Sequence, residues 1–413
     1  MYKNSKIIKM ILIILSILIF TSSCTNRNEN SAPKNVIGTV TGTASSDSPD
    51  ISAKHCIVIE NDSERVLYEK SAYNTAAMAS TTKIMTALVV IEQCELSETV
   101  TVSSYAASIG GSTIDLKTGE ELSVEDLLYG LMLESGNDAA TALAEHTADS
   151  VDEFCKLMNS RAKELGAMNT NFTSPHGLDN ENHYTTAYDL AIITKEALKN
   201  DTFCEIVNTK TISTANRFFA NTNPLLGVVD GIDGVKTGFT NNAGKCIVLT
   251  AERGGMRIIT VILGCPDSKN RIIDGKKITE YIFSKYKIYN LTPEHFLMGT
   301  AYIKKSKTAP SEAELASQIN FPLTEDEYKN LSFRVFVAGK EYKFNNGYDF
   351  NVELKNNTYA GDAIGTFSVY SGNTLITEVP IILKSDVIKK DFYDFLKDVT
   401  DSWIWLLSSK TKS

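Results

Sequence analysis

Apolar positions along this chain fall into blocks of different period, and each block predicts a different kind of element. Met10 to Phe20 is almost unbroken hydrocarbon, whereas Asn26 to Asp50 holds scarcely a large apolar residue. Regular patterning begins at Ile51. Cys56-Ile57-Val58-Ile59-Glu60 and Arg65-Val66-Leu67-Tyr68, split by Asn61-Asp62-Ser63, predict a β-hairpin. Ser80 to Glu92 is apolar through most of its length and predicts a buried helix, and Val100-Thr101-Val102 predicts a strand. Val124, Leu127, Leu128, Leu131 and Met132 recur at helical spacing within Leu122 to Met132. Leu133 to Asp138 breaks that pattern, and further helices are predicted at Ala139 to His146, Phe154 to Leu165 and Thr186 to Leu198. Ile232 to Gly238 approaches a strand. Lys245 to Ala251 and Met256 to Leu263 then predict a hairpin across Glu252-Arg253-Gly254-Gly255, and a helix follows from Ile272 to Ser284. Strands at both ends with helices between them predict an α/β (α+β) domain, a sheet flanked by helices with an all-helical subdomain packed on it.

After Lys287 the period shortens. Tyr302 to Lys305, Phe333 to Val337, Asn351 to Leu354, Ile364 to Tyr370 and Leu375 to Leu383 predict the strands of a small all-β domain. Ser385 to Leu407 predicts an amphipathic helix, with Val387, Ile388, Phe392, Phe395, Leu396, Val399, Trp403, Leu406 and Leu407 broadly on one side. Trp403 and Trp405 near its end suit a membrane interface, and docking on the β domain is the alternative. The resulting division is an export signal at 1–24, a flexible linker at 25–50, a first folded domain at 51–287, a β domain at 288–384 and a membrane-associating helix at 385–413.

Charge and cysteine usage narrow the partners. A net charge of −9 over 413 residues gives no broad electropositive surface, so no nucleic-acid partner is expected. The chain has no GxGxxG loop, no His-x-x-x-His pair and no Cys-x-x-Cys, so neither a cofactor nor a metal is expected. Lys3, Lys6 and Lys9 ahead of the short apolar run make the N-terminus an export signal rather than a spanning helix. Thr21-Ser22-Ser23 before Cys24 resembles a bacterial lipoprotein cleavage box, although Thr21 stands where an aliphatic residue is usual. Lipidation of Cys24, ordinary cleavage and an uncleaved anchor all stay open. The other six cysteines lie mostly inside apolar runs and read as small buried hydrophobes.

Candidate chemistry starts at Ala79-Ser80-Thr81-Thr82-Lys83. On a helix Ser80 and Lys83 share a face. A serine hydroxyl needs a base to become a nucleophile, and a lysine serves if burial or a second cation lowers its pKa. Ser-x-x-Lys also occurs at Ser160, Ser284 and Ser409, so the pair means little without company. That company is Ser135-Gly136-Asn137 and Lys236-Thr237-Gly238. Copies of both tripeptides, at Ser371-Gly372-Asn373 and Lys117-Thr118-Gly119, read as turns. Only one choice of three gives a helix-start serine, a break between helices and a Lys-Thr-Gly beside a strand pair.

That ordered set resembles the serine penicillin-binding proteins and class A β-lactamases. The flanks Leu67-Tyr68-Glu69-Lys70, Ile84-Met85-Thr86, Asp138-Ala139-Ala140, Ser174-Pro175-His176-Gly177-Leu178 and Phe239-Thr240 look like the low-molecular-weight D-alanyl-D-alanine carboxypeptidases. The resemblance is strong from Ile51 to about Lys287. Ala360-Gly361-Asp362 and Val379-Pro380 continue it weakly into the β domain. It implies Ser80 as nucleophile, Lys83 as general base, and Ser135 and Asn137 facing them across a cleft. It implies Lys236, Thr237 and Arg271 at the substrate's terminal carboxylate, Gly238 as a bare strand edge, and the N–H groups of Ser80 and Phe239 as an oxyanion hole. The implied partners are a peptidoglycan stem peptide ending in D-Ala-D-Ala, β-lactam antibiotics and the outer face of the cell membrane. Tyr188 before Asp189, where many members carry Arg, and Phe239, where some carry His, depart from the pattern. A β-lactamase is the nearest rival, but Ser174 to Asp179 lacks the glutamate that class A enzymes place there. A non-catalytic muropeptide or β-lactam receptor is the second rival. His176 and His183 are read as structural.

Overall fold

The computed structural model describes residues 48–293, 297–342 and 350–410. The export signal at 1–24, with Cys24, and the linker before Ser48 lie outside them.

Five strands make the first sheet, in the spatial order Val66–Lys70, His55–Glu60, Met256–Cys265, Gly244–Arg253 and Ile232–Thr240, all antiparallel to their neighbours. The first strand of the domain therefore hydrogen-bonds to its last, with Cys56 opposite Ile262 and Val58 opposite Thr260. Successive side chains of a strand point to opposite faces. Ile57 and Ile59 join the core shared with the helical subdomain, while Cys56 and Val58 join a second core with Ile278 and Ile282 of the Ser268–Lys285 helix. Burial on both faces is why these strands read as continuous apolar runs rather than alternating ones.

The chain between the outer strands supplies the helices Lys83–Gln93, Val124–Met132, Asn137–Ala148, Val151–Glu164, Ala187–Ala197 and Asp201–Asn208. Several start where a short polar side chain accepts from a first-turn N–H: Ser123 from Asp126, Ser150 from Glu153 and Thr186 from Asp189. Lys83–Gln93 runs through the middle with every residue from Lys83 to Val90 buried, which explains why its sequence is apolar all round.

Three features differ from the sequence reading. Ile232–Thr240 is itself a strand, at one edge of the sheet. Asp201–Asn208 is an additional helix, and Thr211–Thr214 pairs with Arg217–Ala220. That hairpin turns through Ala215 and Asn216 with positive φ, without the glycine that would have announced it. The C-terminal helix begins at Phe392, not Ser385. Val387 is fully buried in the β-domain core and bridges Thr358, and the Ile388 N–H donates to Thr308 Oγ1. Strand-like pairing satisfies the backbone there, so an apolar residue placed on the predicted helical stripe belongs to another element.

The β domain is a seven-stranded sheet in the order Lys340–Tyr342, Leu331–Val337, Ala363–Ser371, Thr374–Leu383, Ser311–Leu315, Leu297–Tyr302 and Phe350–Glu353. Ser371-Gly372-Asn373 lies at a two-residue hairpin turn, with Gly372 at φ +58°. Buried Arg65 of the first hairpin ties the two cores together, donating to the Pro322 carbonyl and to the Glu327 carboxylate.

Candidate active site

A short 3₁₀ turn, Ala79–Thr82, leads directly into the Lys83–Gln93 helix. Its threonines do not accept from the first-turn N–H groups, as helix-start threonines usually do. Thr81 Oγ1 donates to the Met78 carbonyl (2.6 Å) and Thr82 Oγ1 to the Ala79 carbonyl (2.7 Å). Ala79 is held in the left-handed region at φ +50°, a conformation that costs a non-glycine residue on the order of 1–3 kcal/mol unless its surroundings impose it. The Ser174–Leu178 loop imposes it from below. Thr86 Oγ1 donates to the Pro175 carbonyl (2.6 Å). The Thr173 N–H donates to His183 Nδ1 (3.0 Å), which leaves the proton on Nε2 to reach Thr82 Oγ1 (2.8 Å). His183 thus orients the turn through Thr82, and burial pushes its pKa down to about 4.

One turn on, the Lys83 side chain is fully buried. Its Nζ lies 3.2 Å from Ser80 Oγ, 2.6 Å from Asn137 Oδ1 and 3.0 Å from the His176 carbonyl. Burial, and then the Lys236 cation, hold its pKa well below the ordinary lysine value, against a smaller pull from Asp138. Asn137 opens its own helix, donates from Nδ2 to the Gly110 carbonyl (2.8 Å) and from its N–H to the Ser112 carbonyl (2.7 Å). A side chain on Gly111 would start 2.6 Å from Asn137 Nδ2, so this rim of the cleft is glycine where it touches the asparagine. Ser135 is buried at φ +64°, in the break between the two helices.

The third side is the Ile232–Thr240 strand. Lys236 is buried and its Nζ has no hydrogen-bond partner among the described residues. Burial, then the Arg271 cation, pull its pKa down to about 7, with Glu134 opposing. Arg271 donates to the Cys246 carbonyl (3.4 Å) and leaves its buried Nε unpartnered among the described residues. One buried and one half-buried cation with unused donors can receive a carboxylate. Thr237 Oγ1 lies 2.8 Å from Thr222 Oγ1. At Gly238 a Cβ would stand 3.0 Å from the Ser80 nitrogen and 3.1 Å from the Thr81 nitrogen, so the strand crosses the Ala79–Thr82 turn in near contact. Phe239 is half exposed beneath the Lys245 ammonium, 3.3 Å from its ring centroid.

Ser80, Lys83 and Asn137 are therefore joined by direct hydrogen bonds, Gly238 abuts Ser80, Lys236 acts on Lys83 through space, and Arg271 acts on Lys236. The copies elsewhere go their own way. Ser160 Oγ donates to Glu164 and Ser284 Oγ to the Tyr281 carbonyl, both at the surface, and Gly119 closes a turn at φ +79°. Sequence reasoning did not assign Thr222, Gly110, Gly111 or the bond from His183 to Thr82. The first three carry no motif, and the last joins residues 101 positions apart.

Comparison with known proteins places this geometry. The family model described as D-alanyl-D-alanine carboxypeptidase matches residues 41–267, more than half the chain. D-alanyl-D-alanine carboxypeptidase DacF of Bacillus subtilis is 35% identical over 361 residues, covering 85% of this chain and 90% of that protein. The crystal structure of penicillin binding protein 5 from Haemophilus influenzae superposes with a TM-score of 0.73 at 26% identity, covering 83% of this chain and 99% of the other. A mutant of the Streptomyces K15 DD-transpeptidase gives 0.55 at 36% identity, over 57% of this chain and all of that one.

Proposed function

This chain belongs to the D-alanyl-D-alanine carboxypeptidase family, and we propose that Ser80 carries its acyl-enzyme, with Lys83 as the base. The protein is a serine-type D-alanyl-D-alanine carboxypeptidase that removes the terminal D-alanine of peptidoglycan stem peptides and binds penicillin. The observation that carries the residue assignment is the environment of Lys83. A neutral amine has two N–H groups and one lone pair. Asn137 Oδ1 and the His176 carbonyl take the two N–H groups, which leaves the lone pair for the Ser80 hydroxyl.

The reaction then follows. Ser80 Oγ attacks the carbonyl carbon of the penultimate D-alanine as its proton passes to Lys83 Nζ. Collapse of the tetrahedral intermediate expels the terminal D-alanine, whose amine takes a proton relayed through Ser135. Water then hydrolyses the ester. Lys236, Arg271 and Thr237 hold the terminal carboxylate. Bare Gly238 on an edge strand lets an extended peptide lie alongside, and the N–H groups of Ser80 and Phe239 receive the oxyanion. Asn137 holds both Lys83 and the peptide backbone.

Such a substrate lies outside the cytoplasmic membrane, in keeping with the export signal read at 1–24 and with either lipidation of Cys24 or cleavage nearby. No helix among the described residues is long and apolar enough to cross a membrane. Phe392, Leu396, Val399 and Trp403 instead form an exposed stripe on the C-terminal helix, which supports a reading of attachment at the membrane surface. The division at 51–287, 288–384 and 385–413 fits one catalytic unit, one β spacer and one attachment helix.

Release of D-alanine from a D-Ala-D-Ala peptide tests the reading. Stoichiometric release with slow β-lactam turnover is expected. Rapid β-lactam turnover favours a β-lactamase, and peptide binding without release favours a receptor.

A further inference from the structure

At the far end of the nucleophile helix, Cys94, Glu98 and His146 each offer one ligand atom within 4.8 Å of the other two. Cys94 is the C-cap residue of the Lys83–Gln93 helix, and His146 stands in the last turn of the Asn137–Ala148 helix. The two helices that present Lys83 and Asn137 to the cleft thus bring these groups together at their opposite ends. The loop that carries Glu98 is pinned: its backbone carbonyls at Leu96 and Glu98 accept from Glu125 and Val124 (3.1 and 3.0 Å). One Glu98 oxygen accepts from the Glu95 N–H (2.7 Å), leaving the other facing His146 Nε2 at 2.9 Å. Thr147 Oγ1 donates to the Leu143 carbonyl, so at 3.3 Å the Cys94 thiol is the donor to that hydroxyl, and it forms no disulfide among the described residues. The His146 and Glu98 side chains are 24% and 43% exposed, which leaves a path for an ion.

We propose that Cys94, Glu98 and His146 form a binding site for a borderline divalent cation of the zinc class, with a fourth position held by water. Thiolate, imidazole and carboxylate together select such an ion over calcium or magnesium, which prefer oxygen alone. Bonds of about 2.0–2.3 Å need ligands roughly 3.3–3.8 Å apart, so His146 and Glu98 part slightly from 2.9 Å while the longer separations, within 4.8 Å, close by side-chain rotation. On binding, the Cys94 thiol proton leaves to solvent, and His146 ligates as a neutral imidazole with its one ring proton on the nitrogen turned away from the ion. Positions 94, 98 and 146 give no spacing motif, so the sequence carried no expectation of a metal. The ion clamps two helix ends and stiffens the frame that holds the catalytic pair.

Cobalt(II) titration of the chelator-treated full chain tests the site. A sulfur-to-cobalt charge-transfer band saturating at one ion per chain and displaced by zinc is expected. Cys94→Ser should abolish the band, and His146→Gln and Glu98→Gln should each weaken binding by about tenfold or more. Zinc at a hundredfold excess over its Kd should raise the unfolding midpoint of the wild type by about 5 °C and leave that of Cys94→Ser unmoved. Absence of the band in the wild type, or a band of equal size in Cys94→Ser, overturns the proposal.

Discussion

Gly177 passes so close beneath Ala79 that a Cβ on it would lie 2.0 Å from the Ala79 carbonyl oxygen. That carbonyl also accepts from Thr82, so the position of the turn that carries Ser80 is set by contact with a loop almost a hundred residues away. Gly177 itself sits at φ +85°, where glycine alone is unstrained.

Gly177→Ala should therefore push the turn out of register. A displacement near 1 Å costs about a hundredfold in rate, so penicillin acylation should slow by about that factor. Stopped-flow acylation measures it, and an unchanged rate would show that the loop does not place Ser80.

Lys236 stands in the opposite relation to stability. The folded protein holds its pKa near 7 against an ordinary 10.5, so between those values the unfolded chain binds more protons. Stability contributed by this residue therefore rises with pH across that window and is lowest below it. Lys236→Met should raise the unfolding midpoint at pH 7 by about 2–4 °C for each kcal/mol gained, while D-alanine release collapses. A lowered midpoint would mean that the buried amine has a stabilising partner.

His176 and His183 are held neutral, burial pushing them to about 3 and about 4 from an ordinary 6.5. Below pH 6.5 the unfolded chain takes up protons that the folded one refuses. Stability present above that pH should fall as pH drops toward 4, with a slope approaching about 1.4 kcal/mol per pH unit for each histidine. His183→Gln should remove one of these two contributions. Chemical denaturation across this range checks the slope.

The C-terminal helix offers a separable prediction. Leu396→Ser with Trp403→Ser interrupts the exposed stripe, and sedimentation with anionic vesicles should lose most of the bound protein while D-alanine release from soluble peptide stays unchanged. Equal sedimentation of both proteins would assign the stripe to another partner.

Much of this was legible in the residues, for physical reasons. Ile57 to Ile59 and Ile258 to Leu263 are buried on both faces, so their apolar runs survive as an unmistakable sheet. Ser80 and Lys83 share a helix face by spacing alone. What spacing cannot supply is the third dimension. Val387 looked helical because its period fits, yet its backbone pairs with Thr358. The Thr237–Thr222 and Thr82–His183 bonds join segments that only the fold brings together. Cys94 read as a small buried hydrophobe, whereas it is half-buried beside His146 and Glu98.

The most direct test is to map the covalent penicillin adduct by mass spectrometry. The hydrogen bonds around Lys83 place the label on Ser80, with none on Ser80→Ala and slow labelling of Lys83→Met. An adduct on Ser160 or Ser284, or full labelling of Ser80→Ala, would contradict the account.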